Sequence, residues 1–362
     1  MNIVTVDDKK FKLSKDLDLE TFDVSNMCTE NRILIDYITF VTRCDKKETL
    51  IKLLGLEDRT FIKTKGWYGY SQQLYYDGIH ILFDGTPEMG ICVEMSGQGC
   101  RNFEKWGTGD YHEIFNYIVN NPEVNITRLD VAYDDFTGLL DFETLIRDIE
   151  EENYVSRFRE FPVERIYSKE IKRRSFTIYC GSHSSEIMFR IYDKKAEQKA
   201  FDLEHWLRFE VQLRRDRADI FIKLLLDNQD LQSVYAGVIK NNLRFVEPSE
   251  TDTNLSRAKT AQYWVDFLGE VDRVSLFVAD TDYTETSLER YVKTQCSSGI
   301  VTYIALFGFK NFIDLILGRS SLKLNDRHLS LLFNHNIDDV RSLIESAVID
   351  FQISGIIDTK GR

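Results

Sequence analysis

The 362-residue chain is 43% hydrophobic and 29% charged, with 24 Phe and 17 Tyr, which suits a well-cored protein of two domains or of one large domain with an appendage. Its net charge of −13 argues against a protein that coats nucleic acid without discrimination. No apolar run reaches the roughly 18 residues of a membrane span, and the polar start over 1–15 reads neither as a signal peptide nor as an anchor, so a cytoplasmic protein without membrane insertion is expected.

Residues 1–30 read as a polar lead-in. A β-rich apolar core predicts a strand over 33–42. The segments 67–76 and 79–83 form a hairpin pattern closed by Asp77-Gly78, a tight-turn pair. A strand over 90–95 ends in Ser96-Gly97-Gln98-Gly99, which is too short for a nucleotide loop and reads as a turn. Helical spacing follows over 103–119, then a strand over 125–134 and a helix over 142–149. Two strands over 175–192 are joined by residues 181–185, and a strand over 206–213 precedes a helix over 218–226.

Strands paired as hairpins rather than alternating strictly with helices predict an α+β fold. The expectation is a largely antiparallel sheet of duplicated ferredoxin-like type over 31–247. A linker over 248–254 and a mainly helical C-terminal domain over 255–362 complete it, with helices near 259–268, 287–295, 302–316 and 338–348.

The six cysteines form no Cys-x-x-Cys pair and read as reduced thiols. The six histidines show no metal-binding spacing, which disfavours zinc. No Gly-x-x-x-x-Gly-Lys-Ser/Thr loop is present. Charge is uneven: residues 155–217 carry 15 Lys and Arg against 10 Asp and Glu. Within that stretch Lys169, Lys172, Arg173 and Arg174, with Arg208 and Arg214 further on, are candidate DNA contacts, though a solvated charged loop has the same composition.

Period-two reading gathers a polar constellation. Arg190, Tyr192 and Lys194 share one face of an extended segment, and a phenol with a pKa of about 10 needs such cations to act as a nucleophile toward phosphate. Arg128, Asp130 and Asp134 share a face, as do Arg208, Glu210, Gln212 and Arg214, while Glu94 alternates with Val93 and Met95. Glu94, Asp130 and Glu210 together would make an oxygen-only site for a divalent Mg or Mn. The alternative is a solvent-facing side bearing Arg128–Asp130 and Arg208–Glu210 ion pairs. A metal-dependent hydrolase using water is a further alternative, but it leaves the cationic tyrosine strand unexplained.

The segments 126–134, 178–182, 189–197 and 206–213, in this order and spacing, resemble the Rep_trans family of rolling-circle replication initiators and conjugative-element relaxases. A weaker likeness continues through 261–268 and 287–292. The resemblance implies a nicking-closing endonuclease whose single catalytic tyrosine falls on Tyr192, assisted by a divalent metal near Asp130 and Glu210, with Glu94 a looser match. It implies origin DNA bearing a hairpin, a superfamily 1 helicase, a conjugation coupling protein and a second copy of the chain as partners. A non-catalytic origin-binding accessory or repressor protein is the competing reading. The first 30 residues leave no room for the helix-turn-helix domain that some relatives carry.

Overall fold

The apolar residues of the second strand change phase in mid-course, and that shift positions much of the site. Ile33 and Ile35 pack toward the core before Asp36, and Ile38 and Phe40 do so after it. One extra residue is therefore inserted, and the pairing register slips between Ile35 and Tyr37, as in a β-bulge.

The computed structural model describes residues 2–5, 30–167, 174–200, 202–227, 229–248, 254–269, 274–276, 288–289 and 291–318. The strands are β1 (Asn2–Thr5), β2 (Arg32–Thr42), β3 (Thr60–Lys65), β4 (Gln72–Tyr76), β5 (Ile79–Phe83), β6 (Ile91–Met95) and β7 (Val124–Asp135). They continue with β8 (Tyr154–Ser156), β9 (Val163–Tyr167), β10 (Arg174–Cys180), β11 (Ile187–Asp193), β12 (Leu207–Arg214), β13 (Leu243–Glu247) and β14 (Lys259–Thr260). Helices of the first unit are α1 (Lys47–Leu53), α2 (Gly97–Trp106), α3 (Tyr111–Asn120), α4 (Phe142–Glu150), α5 (Lys194–Glu197), α6 (Asp216–Leu226), α7 (Leu231–Asn242) and α8 (Gln262–Leu268).

Eleven strands form one sheet in the order β1-β3-β4-β5-β6-β2-β7-β12-β11-β10-β9, antiparallel except where β1 joins β3. The order is a duplication about the β2–β7 pair. Each half runs from a central strand through a helix to the sheet edge, then meanders back until its last strand, β6 or β12, lies beside the first. The fold is thus the expected α+β type with a largely antiparallel sheet.

Local chemistry explains the main boundaries. Asp77 (φ 33°) and Gly78 (φ 84°) close the β4–β5 hairpin, and a Cβ on Gly78 would lie 2.5 Å from the Gly99 nitrogen. Ser96 caps α2 by accepting from the Gly99 N–H, so the stretch read as a turn begins a helix. The single helix expected over 103–119 is two, because Gly107 and Gly109 interrupt it and Asp110 caps α3.

The chain divides into two compact units, 1–277 and 278–362. Residues 248–254, read as the linker, fall inside the first unit because α8 packs back: Trp264 is 1% exposed, with ring contacts to Phe245 at 4.9 Å and Phe209 at 6.0 Å. In the second unit a π-helical turn (Val292–Cys296) leads into α9 (Ser297–Phe307) and α10 (Phe309–Gly318), separated by Gly308. The helix expected over 338–348 lies outside the described residues. Among the described residues no helix is long and apolar enough to cross a membrane.

Candidate active site

Alternation along β12 sends Leu207, Phe209, Val211 and Leu213 into the core and leaves Arg208, Glu210 and Gln212 on the other face. Register then fixes their neighbours. On β11, Arg190 stands opposite Glu210 and Tyr192 opposite Arg208. On β7, Asp130 stands opposite Gln212 and Asp134 opposite Arg208. On β2, Tyr37 stands opposite Asp130. This face is not a solvated side: Asp134 is 0%, Glu210 1%, Asp130 2% and Arg208 4% exposed.

Charges this deep require partners. Arg128 donates to both oxygens of Asp130 at 2.9 and 2.5 Å, as the ion-pair alternative anticipated. Glu210 pairs with Arg190, at 2.8 and 2.7 Å, and not with Arg208. Arg208 instead clamps Asp134 at 2.7 and 2.8 Å and reaches Asp36 at 2.7 Å. Arg32 adds a contact to Asp134 at 3.2 Å.

Tyr192 sits within this network, 7% exposed. Its phenol donates to Glu210 Oε2 at 3.4 Å and accepts from Lys194 Nζ at 3.5 Å. The Arg190 guanidinium lies 4.8 Å and the Lys194 ammonium 5.5 Å from the ring centre. Lys194 also pairs with Glu197 on α5. Burial, then the Glu210 charge, push the phenol well above its ordinary range, while Arg208 pulls the other way. The resting group is therefore a neutral phenol.

These side chains border a cavity of about 330 Å³ that also takes in Arg32, Asp36, Tyr37 and Trp206. One wall is the first turn of α2, through Ser96, Gly97, Gln98 and Arg101. Arg190 keeps a buried Nε–H with no hydrogen-bond partner, a donor suited to an incoming phosphate oxygen.

The acidic residues divide into those at the cavity and one away from it. Asp130 and Glu210 both line it, whereas Glu94, on β6, does not, and it is hydrogen-bonded to Tyr37. Among the described residues no three His, Cys, Asp or Glu side chains converge closely enough to hold a metal ion by themselves. The donor chemistry around Asp130 and Glu210 nevertheless fits a hard divalent cation. Burial, then the Asp130 charge, push the Glu210 carboxyl up to about 7, with Arg190 opposing them. Directly across from Asp130, Gln212 is 4% exposed and its Oε1 has no hydrogen-bond partner.

Of the residues read as DNA contacts, Lys169, Lys172 and Arg173 lie outside the described residues, as does the side chain of Arg174 at the start of β10. Arg208 is a buried wall of the cavity rather than a surface cation. Arg214 is partly exposed at the end of β12, opposite Arg128. Sequence reading missed Arg32, Asp36 and the α2 turn. Asp36 had a signal, the odd-to-even change of apolar phase in β2; the α2 turn had none beyond its N-cap serine.

Residues 124–314 match the Rep_trans model, "Replication initiation factor", and residues 32–118 match a rolling-circle replication initiation protein N-terminal domain. The candidate DNA relaxase NicK of Bacillus subtilis (strain 168) is 27% identical over 315 residues, covering 83% of this chain and 88% of that protein. The structure of a rolling-circle replication initiator from Geobacillus stearothermophilus superposes with a TM-score of 0.63 at 33% identity, covering 69% of this chain and all of that one. Two tandem family matches that begin at β2 and β7, the opening strands of the two halves of the sheet, identify the chain as a member of the Rep_trans replication initiation factor family.

Proposed function

We propose that this chain is a nicking-closing DNA strand transferase that opens one strand at an origin through Tyr192. The observation that carries the reading is a phenol held between a carboxylate and an ammonium at 3.4 and 3.5 Å, beside an arginine with a donor to spare.

The phenol proton, shared in the hydrogen bond to Glu210, passes to water before attack, the Arg208 charge across the strand favours the phenolate that results, and the departing 3′ oxygen takes its proton back from water. The phenolate oxygen forms a bond to phosphorus as the bond from phosphorus to the 3′ oxygen breaks. A 5′-phosphotyrosine and a free 3′-hydroxyl result. Arg190 and Lys194 offset the charge that develops on the phosphoryl oxygens. Asp130 and Glu210 would hold a divalent Mg or Mn, which when bound withdraws charge from the scissile phosphate. For that, Arg128 and Arg190 give up part of their pairing. The phosphodiester energy stays in the tyrosine link, so resealing needs no nucleotide.

Origin DNA with a hairpin is the substrate of this reading. A superfamily 1 helicase, a coupling protein for conjugative transfer and a second copy of the chain are its proposed partners. The partly exposed Arg214 and the basic 155–217 stretch are the proposed DNA contacts.

The test is incubation of purified protein with Mn²⁺ and supercoiled DNA of its own genetic element. A 5′-linked protein–DNA adduct, lost in Tyr192→Phe while specific binding persists, is the expected result. Specific binding with no adduct from the unaltered chain would favour the non-catalytic origin-binding reading.

A further inference from the structure

We infer that Gln98 and Gln198 read the unpaired bases on either side of the scissile phosphate; this rests on the nicking reading above and gives it sequence selectivity. Both residues line the cavity that Tyr192 borders, from opposite halves of the duplicated sheet. Gln98 stands in the first turn of α2 and Gln198 at the C-cap of α5. At about 330 Å³ the cavity matches a small-ligand site rather than a duplex groove. A strand cut at Tyr192 therefore enters it single, with its bases unstacked and their edges open.

Charge cannot supply that selectivity. Six cationic side chains against four acidic ones line the cavity, a local surplus in a chain of net charge −13, and it suits the phosphates of any sequence. Reading a base edge takes a neutral group that donates and accepts side by side, as a glutamine amide does. The charged groups are committed to one another: Arg32, Arg128, Arg208 and Lys194 each pair with a carboxylate. The amides of Gln98 and Gln198 are exposed and make no side-chain hydrogen bond among the described residues.

Both amides also stand on backbone that is held in place. A Cβ on Gly99 would lie 2.2 Å from the Gly78 carbonyl oxygen, so α2 begins in direct contact with the β4–β5 turn. Ser96 ties the two together, donating to that same oxygen at 3.2 Å and accepting from the Gly99 N–H at 3.4 Å. At the other wall the Gln198 N–H donates to the Lys194 carbonyl at 3.0 Å, and Lys195 Nζ donates to the Glu204 carbonyl at 3.0 Å. Side chains carried on a fixed backbone lose less freedom on binding and hold a narrower geometry, which sharpens discrimination between bases.

The experiment gives the full chain, with Mn²⁺, single-stranded oligonucleotides that carry the nick site mapped on supercoiled DNA of its element, randomised at the bases flanking the cut. DNA captured as covalent adduct is then sequenced. The unaltered chain should favour one flanking base about fivefold or more, the discrimination of one bidentate amide contact. Gln98→Ala should flatten the preference on one side of the cut and Gln198→Ala on the other. Gln98→Glu and Gln198→Glu, which accept without donating, should redirect it toward bases with an exocyclic amine, cytosine above all. A merely structural role for either residue would not redirect the preference. Flanking preferences identical in the unaltered chain and all four variants, or adduct yields that fall equally for every flanking base, would overturn the assignment. An unaltered chain that forms no adduct with any of these DNAs would sink the nicking reading itself.

Discussion

Replacing Arg208 by Met tests whether the buried ion network holds the catalytic half of the sheet together. The substitution preserves an unbranched stem but removes two bonds to Asp134, at 2.7 and 2.8 Å, and one to Asp36 at 2.7 Å. Asp134 is 0% exposed, so it cannot turn to water, and Arg32 at 3.2 Å is the cation that remains for it. Breaking a buried pair by removing one partner costs roughly 3–5 kcal/mol, and the surviving Arg32 contact argues for the lower end, about 3 kcal/mol. For a unit of 277 residues this corresponds to a drop in melting temperature of about 6–12 °C. Urea unfolding and calorimetry of wild type, Arg208→Met and the double variant Arg208→Met/Asp134→Leu measure it. The double variant should recover much of the loss, since the fully buried carboxylate is gone and Asp36, 15% exposed, can reach water. A single-variant loss under about 1 kcal/mol, or a double variant worse than the single, would refute the reasoning.

Gly78→Ala should destabilise the first unit by more than about 1 kcal/mol, visible as a lower melting temperature, since φ is 84° and the added Cβ would lie 2.5 Å from the Gly99 nitrogen. A fragment ending at 277 should unfold cooperatively, whereas one ending at 247 should not, because it loses Trp264 and with it about 3–5 kcal/mol of core packing; circular dichroism melts separate the two. Burial would raise the Asp135 carboxyl, but the His205 ring at 3.4 Å and the hydrogen bond from the Leu140 N–H hold it below its usual value. Its stabilisation is therefore full above the unfolded pKa of about 3.9 and is lost as pH falls through the lower folded value. Asp135→Asn should accordingly be less stable than wild type at pH 6, with the gap closing toward pH 3 in urea titrations. Lys194→Met should slow adduct formation well beyond any change in DNA affinity, measured by single-turnover nicking and by filter binding.

The hairpin at Asp77-Gly78, the strand–helix succession and the polar face of β12 were legible in the residues, because turn chemistry and period-two alternation are local properties. The tyrosine segment was legible for the same reason: Arg190, Tyr192 and Lys194 are brought together by residues within one short stretch. Alternation assigns a side chain to a face but says nothing of which strand lies next to it. Hence the ion-pair alternative set Glu210 against Arg208, two residues along the same strand, whereas it is found against Arg190, its partner across the ladder.

The outlying position of Glu94 likewise follows from strand order, which places β2 between β6 and β7. Asp36 enters the cavity only because a bulge shifts the phase of β2, and the α2 turn only because Gly78, Ser96 and Gly99 pack closely at the hairpin. The sequence by itself determined which residues could do this chemistry and which face each one takes. Tertiary structure decided which of them meet, because strand order and register are set by closure of a core shared across the whole sheet, a long-range outcome that no local pattern encodes.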